Sequence, residues 1–281
     1  MRQALPGWLR PKQPKGPYLA KLGPRLRALG VETICENARC PNVGECFSDG
    51  NMTFLILGAV CTRNCRYCAV SSGRPEPPDP EEPARVAEAA RDLELKHVVV
   101  TSVTRDDLAD GGAAQFAAVV SRLRQRAPGA KIETLVPDFR GEKDSVRQVM
   151  EAKPDIFAHN LEVTRRLYPA LRPGGKYEWA ISVLRAARDA GNGCPTKSGL
   201  MVGLGEKEEE VLEALSDLRE AGVDLLTIGQ YLRPTSGHFP VKEYVEPALF
   251  GRYEEAARAL GFRGVLSGPL VRSSYHAAEL A

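Results

Sequence analysis

The sequence predicts an α/β fold, a partial (β/α)6 barrel, and three observations predict it. From residue 53 onward, β-branched runs alternate with amphipathic helical stretches, the pattern of βα units on a parallel sheet. Six such strands fall before residue 230, whereas a closed eight-unit barrel takes about 250 residues. Polar residues gather just after the strands, on the rim where βα barrels build their sites.

The elements follow in order. Residues 1–33 are rich in proline, with Pro6, Pro11, Pro14, Pro17 and Pro24, and read as an extended arm with a short helix over 24–29. Arg10, Lys12 and Lys15 in that arm read as solvated surface. Cys35, Cys40 and Cys46 follow on a tight loop with Pro41 and Gly44. The apolar run 53–58 reads as a buried strand bounded by glycine. Cys61, Cys65 and Cys68 lie on the loop just past it. Helices are expected over 80–95, 112–127, 142–152, 177–190, 207–221 and 247–260, each with an apolar stripe such as Phe116, Val119, Val120 and Leu123. Strands are expected over 97–103, 132–136, 155–159, 198–204 and 225–229, with a short last one at 265–266. The polar rim comprises 101–112, Pro137-Asp138, 159–162, 203–206 and 230–236. Any single one of these loops is explained as a cap or turn, with Asp110-Gly111-Gly112 as an example. Five on one rim are not.

Composition narrows the class. With 43% hydrophobic and 26% charged residues the chain is an ordinary globular sequence. No run approaches the ~18 apolar residues of a membrane span, and the first fifteen residues have no secretory apolar core. A formal charge of +2 gives no bulk attraction to nucleic acid. Six of the seven cysteines cluster between positions 35 and 68, which argues for a reducing compartment, the cytoplasm, and metal binding rather than disulfides. Cys194, in a Gly-Asn-Gly-Cys-Pro turn, reads as an incidental thiol.

Three thiolates leave one position empty around a metal that wants four protein ligands. Structural zinc usually takes two CxxC-like pairs, so Cys61, Cys65 and Cys68 suit a [4Fe–4S] cluster with one open iron. Cys35, Cys40 and Cys46 form a second such set. Two clusters, or one site sharing all six thiolates, are both possible, and the different spacings favour two.

The C-x3-C-x-Y-C loop resembles the signature of the radical S-adenosylmethionine enzymes. With the C-x4-C-x5-C set, the blocks 101–112, 159–162 and 197–206, and the closing Arg272-Ser273-Ser274-Tyr275, the chain resembles the lipoyl synthase family over residues 33–277. The resemblance implies a division into residues 1–50, an extension with the auxiliary-cluster loop; 51–245, the partial barrel; and 246–281, a helix, a short strand and the tail. The two extensions close the barrel mouth. It implies two [4Fe–4S] clusters and S-adenosylmethionine, bound through amino and carboxylate groups to the open iron at Cys61, Cys65 and Cys68. A tail serine, Ser274 or else Ser273, becomes the fourth ligand beside Cys35, Cys40 and Cys46. Serine oxygen is a poorer partner for iron than thiolate, which suits a cluster that gives up sulfur. Asn160 and Glu162 are implied for the cofactor's ribose, and Thr101, Ser102 and Arg105 for its methionine part. The implied reaction cleaves the cofactor to a 5′-deoxyadenosyl radical and inserts sulfur at C6 and C8 of an octanoyl chain on a carrier lysine. The implied partners are octanoylated carrier domains (the glycine cleavage H protein and E2 subunits of 2-oxoacid dehydrogenases), a ferredoxin or flavodoxin, and an iron–sulfur carrier protein, with no nucleic acid and no membrane. Rival readings are a biotin synthase-like or tRNA-methylthiolating enzyme, and a non-enzymatic module with two zinc sites.

Overall fold

The computed structural model describes residues 5–10, 18–191, 193–275 and 277–280. Pro11, Lys12, Pro14, Lys15 and Pro17 of the predicted arm lie outside the described residues. Of the rest of the arm, Gly7–Leu9 forms a single 3-10 turn that buries Leu9. The first helix, α1 (Tyr18–Ala28), starts earlier than proline punctuation suggests and carries Pro24 in its interior. Pro24 cannot donate a helical hydrogen bond, but Leu26 two residues on is buried and holds the segment against the core.

β1 (Glu32–Thr33), α2 (Ile34–Asn37) and α3 (Val43–Ser48) precede β2 (Thr53–Ile56). A two-stranded pair, β3 (Val60–Cys61) and β4 (Ser71–Ser72), flanks the second cysteine loop. Then come α4 (Glu82–Asp92), β5 (His97–Ser102), α5 (Ala113–Arg126), β6 (Lys131–Leu135), α6 (Lys143–Glu151), β7 (Ile156–Ala158), α7 (Tyr168–Leu171), α8 (Tyr177–Asp189), β8 (Thr196–Val202), α9 (Glu208–Glu220), β9 (Leu225–Gln230), α10 (Pro247–Ala259), β10 (Gly264–Gly268) and α11 (Ala277–Leu280). The main sheet runs β1-β2-β5-β6-β7-β8-β9-β10. The six strands read from the sequence, β2 and β5 to β9, are all parallel. The sheet extends at both edges: β1 pairs antiparallel with β2, and β10 pairs parallel with β9 after α10.

Outward-facing strand residues pack on the helices. Val98, Val100 and Ile132 meet Phe116, Val120, Leu123 and Val149 in one core, and Leu200, Leu226 and Ile228 meet Leu215, Leu218 and Tyr253 in a second. Each such side chain contributes about 1.5–3 kcal/mol by leaving water. Phe116 also stands edge-on to Phe139, centroids 6.5 Å apart. Helix α5 begins as the sequence reads it: Asp110 accepts from the backbone N–H groups of Gly112 (2.9 Å) and Ala114 (2.7 Å). Gly112 has φ +96, and a Cβ there would stand 2.3 Å from Leu57 Cδ1, so only glycine fits.

Inside the barrel a buried charged group, Lys197 Nζ to Glu133 at 2.9 and 3.1 Å with His97 Nε2 at 3.4 Å, joins β8, β6 and β5. Burial alone would raise the Glu133 carboxyl, but Lys197 and His97 override it and hold it below the usual carboxylate range. Helix α11 touches β10 at one edge of the sheet and β5 near the other, so the chain returns across the open seam. Among the described residues, no helix is long and apolar enough to cross a membrane.

Candidate active site

The loop of Cys61, Cys65 and Cys68 is gripped by three parts of the barrel rim. On the β5 side, the Thr62 backbone N–H and hydroxyl donate to Thr104 O at 3.1 and 2.9 Å, and Asp106 N donates to Thr62 Oγ1 at 3.0 Å. Beneath it, the buried Arg63 guanidinium donates to Asp106 (2.7 and 2.8 Å) and to Asp138 (2.5 and 2.9 Å). Burial alone would raise the Asp138 carboxyl; Arg63 and Arg172 keep it below the usual range, so this is a charged, paired group. On the far side, Arg66 N donates to Leu171 O (2.9 Å) and Phe239 N donates to Arg66 O (2.8 Å). His238 completes the grip, with Nε2 2.9 Å from Cys68 O and Nδ1 2.8 Å from Thr235 Oγ1. A carbonyl only accepts, so Nε2 carries the proton and Nδ1 accepts from Thr235.

The other triad sits on short helices. Cys35 lies in α2, where the Thr33 side chain accepts from Glu36 N at the helix start. Arg39 adopts φ +53, and Cys40 N donates to Cys35 O at 2.9 Å, which turns the chain between the first two thiols. Cys46 lies in α3, and Asn51 N donates to its carbonyl at 2.8 Å. The C-terminal tail crosses here. Asn42 Nδ2 donates to Leu270 O at 2.6 Å, and the Tyr275 hydroxyl donates to Glu45 at 3.3 Å. The tail is pressed onto the end of β9, where a Cβ on Gly229 would stand 2.0 Å from Val271 O. Arg272 is half-buried there, and desolvation lowers its pKa while the nearby Cys40 partly offsets that.

Both triads, Ser273 and Ser274 line a single cavity of about 520 Å³. Burial pushes the thiol pKa up to about 11 at Cys35 and about 12 at Cys46 and Cys68. Without a cation these sulfurs stay protonated at neutral pH, so a metal must displace their protons to bind. Among the described residues, no three His, Cys, Asp or Glu side chains converge as on a single ion. Each set offers three thiols, one short of the four protein ligands a structural zinc usually takes, and so suits a four-iron cluster that takes its remaining ligand from outside the set. The cavity also exposes buried polar atoms with no partner: Ser102 Oγ, Asn160 Oδ1, His159 Nε2 and Asn42 Oδ1. Those atoms fit a polar cofactor.

The residues expected to bind S-adenosylmethionine are mostly gathered here. Thr101 reaches the cavity but donates its hydroxyl to Leu135 O (2.8 Å). Ser102 is unengaged. Asn160 Oδ1 would stand 2.8 Å from a Cβ at position 199, which explains Gly199 opposite it. Glu162 takes φ +75, rare for a residue with a side chain, and its backbone bridges to Gly199 O and Met201 N at 3.0 and 2.8 Å. Burial raises its carboxyl pKa, with Arg172 and Asn160 opposing. Arg105 is the correction. Its guanidinium turns away from the cavity, donating to Asp107 (2.9 and 2.8 Å) and Leu57 O (3.2 Å), and it lines a separate surface hollow with Asp106 and Arg140.

Sequence reasoning missed Arg172 and His238. Arg172 is buried, with Nη1 3.3 Å from Asn160 O and Nη2 3.2 Å from Asp138, and it brings positive charge to Cys65, Tyr67 and Glu162. The one available signal was an arginine before Pro173-Gly174-Gly175, a loop with no helical pattern of its own.

A model of the radical SAM superfamily matches residues 55–218. The chain is 52% identical over 278 residues to the lipoyl synthase of Rubrobacter xylanophilus, covering 99% of this chain and 87% of that one. It is 55% identical over 252 residues to the lipoyl synthase of Caldanaerobacter subterraneus, covering 90% and 88%. Among solved structures, HydG, a maturase of the [FeFe]-hydrogenase, matches with a TM-score of 0.61 at 15% identity, over 76% of this chain and 50% of that one. That likeness speaks for the fold alone. Two thiol triads on one cavity, and half-identity along nearly the whole chain, agree: the chain belongs to the radical SAM superfamily and, within it, to the lipoyl synthase family.

Proposed function

We propose that this chain inserts two sulfur atoms, at C6 and C8, into an octanoyl chain held on a lysine of a lipoyl carrier domain, giving the lipoyl cofactor. The observation that carries this reading is that both thiol triads, the tail serines and the unpartnered polar atoms face one cavity. A hydrogen-abstracting site and a sulfur source must serve the same acyl chain, and one cavity puts both in its reach.

Two [4Fe–4S] clusters and S-adenosylmethionine, when bound, supply the electron, the carbon radical and the sulfur. The chain's residues hold and orient them. Cys61, Cys65 and Cys68 hold the cluster that works with the cofactor. Ser102, Asn160 and Glu162 offer polar groups to the cofactor, and Arg172 adds positive charge beside Cys65. Cys35, Cys40 and Cys46 hold the auxiliary cluster, with Ser274 as its oxygen ligand and Ser273 as the alternative. On this reading residues 1–50 and 246–281 each bring a piece of the auxiliary site to the barrel of 51–245. The substrates are the glycine cleavage H protein and E2 subunits of 2-oxoacid dehydrogenases, a ferredoxin or flavodoxin supplies electrons, an iron–sulfur carrier protein is a further partner, and the work is done in the cytoplasm.

The test is anaerobic reconstitution followed by turnover. The expected result is about eight irons per chain, as two four-iron clusters require, with matching inorganic sulfide, and a carrier peptide whose octanoyl group gains two sulfurs. Zinc without sulfide, or an unchanged peptide with both clusters in place, would overturn the reading.

A further inference from the structure

The inner side of the 61–68 loop lines the cavity; its outer side faces solvent. Cys65 lies between Asn64 and Arg66, both exposed, so one peptide strand separates its sulfur from the surface. Three exposed cations stand around that strand. The Arg66 guanidinium lies 5.7 Å over the Phe239 ring, and the Lys242 ammonium lies 5.5 Å over the same ring. Lys176 holds its ammonium 4.8 Å over Trp179, whose ring also receives Arg63 at 5.8 Å.

Among the described residues these cations rest on aromatic faces rather than on carboxylates. Neighbouring acids are engaged elsewhere: Glu178 with Arg165, and Asp106 with Arg63 and Arg140. Glu243, beside Lys242, lies toward Glu206 and Tyr253. The face is therefore net positive with an aromatic centre, a combination suited to a transient partner steered by charge. It also lies outside the cavity itself, which Arg39, Arg233 and the tail line and which Arg66, Lys176, Trp179, Phe239 and Lys242 do not.

We propose that this outer face docks an acidic one-electron carrier protein, with Arg66, Lys176 and Lys242 as its charged anchors and Phe239 and Trp179 as its apolar centre. The inference rests on the reading that Cys61, Cys65 and Cys68 hold a redox cluster. In the step it serves, the carrier's reduced flavin or iron–sulfur centre is oxidised by one electron, and that electron passes to the cluster behind Cys65. No atom is transferred.

The experiment compares two reductants on reconstituted holoenzyme: a reduced flavodoxin and dithionite, with 5′-deoxyadenosine as the readout. In the wild type the flavodoxin-supported rate falls with added salt. In Lys176→Glu/Lys242→Glu it drops about tenfold or more and loses that salt dependence, as for charge-steered encounters, while the dithionite-supported rate and the KM for octanoyl carrier are unchanged. The milder Lys176→Gln/Lys242→Gln pair falls between. An unchanged flavodoxin rate in both pairs overturns the proposal. So does an equal loss with dithionite in the Gln pair, or a raised carrier KM with the flavodoxin rate intact, which would give this face to the substrate. Absence of 5′-deoxyadenosine from the wild type with dithionite strikes the cluster reading instead.

Discussion

The two thiol triads share a cavity but are held in different ways. The 61–68 loop is bonded through its backbone to three rim segments, at Thr104, Leu171 and Phe239, and braced by the buried Arg63–Asp138–Arg172 pairs. The 35–46 loop rides on helices of four and six residues and meets the rest of its site through side chains, Asn42 to Leu270 O and Tyr275 to Glu45. A cluster that is used again and again gains from a frame that does not move. A cluster that gives up sulfur and is rebuilt gains from a frame that opens without disturbing the barrel. The difference in anchoring thus matches the difference in proposed role.

Removing one thiol from each side is the harshest way to break that comparison. Cys65→Ala abolishes formation of 5′-deoxyadenosine and with it all product. Cys40→Ala keeps 5′-deoxyadenosine but makes no sulfur-bearing product. Both compounds are quantified in the same reaction. Lipoyl product at wild-type yield from Cys40→Ala would end the division of labour.

The tail serines come next. Ser274→Ala leaves the auxiliary cluster less stable and cuts product. Ser274→Cys retains the cluster, since thiolate suits iron at least as well, but slows sulfur insertion because the iron is held more tightly. Ser273→Ala is milder on both counts. Single-turnover product and iron content report all three, and full iron with full product in Ser274→Ala would remove the ligand assignment.

Much of this was legible in the sequence, for physical reasons that also mark where reading stops. The barrel strands are β-branched runs between stripes of period 3.6, and the thiol spacings are local, so both survive in one dimension. β10 was visible only as Val265-Leu266 among glycine and serine, too little to show that it pairs along the edge of β9. Arg105 looked like a cavity residue because it lies on a polar rim loop. Its direction is decided by Asp107 two residues on, which no pattern of polarity records. Arg172 and His238 act on partners 34 and 170 residues away, at Asp138 and Cys68. The Lys197–Glu133 pair was hidden inside strand patterns, because the barrel interior turns polar where an ordinary sheet would be apolar.

Two substitutions that touch no ligand separate the anchoring schemes. Gly229→Ala places a methyl where Val271 O now stands, so the tail must move off β9. It lowers iron at the auxiliary site and product several-fold, and spares 5′-deoxyadenosine. His238→Ala removes the bond to Cys68 O, a loss of about 1 kcal/mol, and weakens the other pole: S-adenosylmethionine binds less tightly, and the electron spin resonance signal of the reduced cluster broadens. His238→Gln keeps a donor and recovers part of the loss. If Gly229→Ala impaired cofactor cleavage as much as sulfur insertion, the two sites would not be mechanically separate.

The last effect concerns acid. His159 donates through Nδ1 to Val136 O at 2.8 Å, and its Nε2 is buried without a partner. Burial, helped by Arg172, lowers its pKa from 6.5 to about 4. The unfolded chain therefore binds a proton that the folded chain refuses between those two values. Stability is full above about pH 6.5. It declines as the pH falls toward about 4, and the loss at pH 5 comes to about 2 kcal/mol. His159→Gln has no proton to take up. Its amide can still donate to Val136 O, so it loses about that much less than the wild type between pH 7.5 and pH 5. Urea midpoints of the cluster-free protein at the two pH values give the comparison. Because His159 lies beside Asp138 and Arg172, acid acts on the frame under the 61–68 loop. The wild type should therefore lose protection from hydrogen exchange first at residues 62–66 and only later at 35–46. Parallel loss in both loops, or identical midpoint shifts in the wild type and His159→Gln, would show that the buried imidazole does not set the acid limit of that frame.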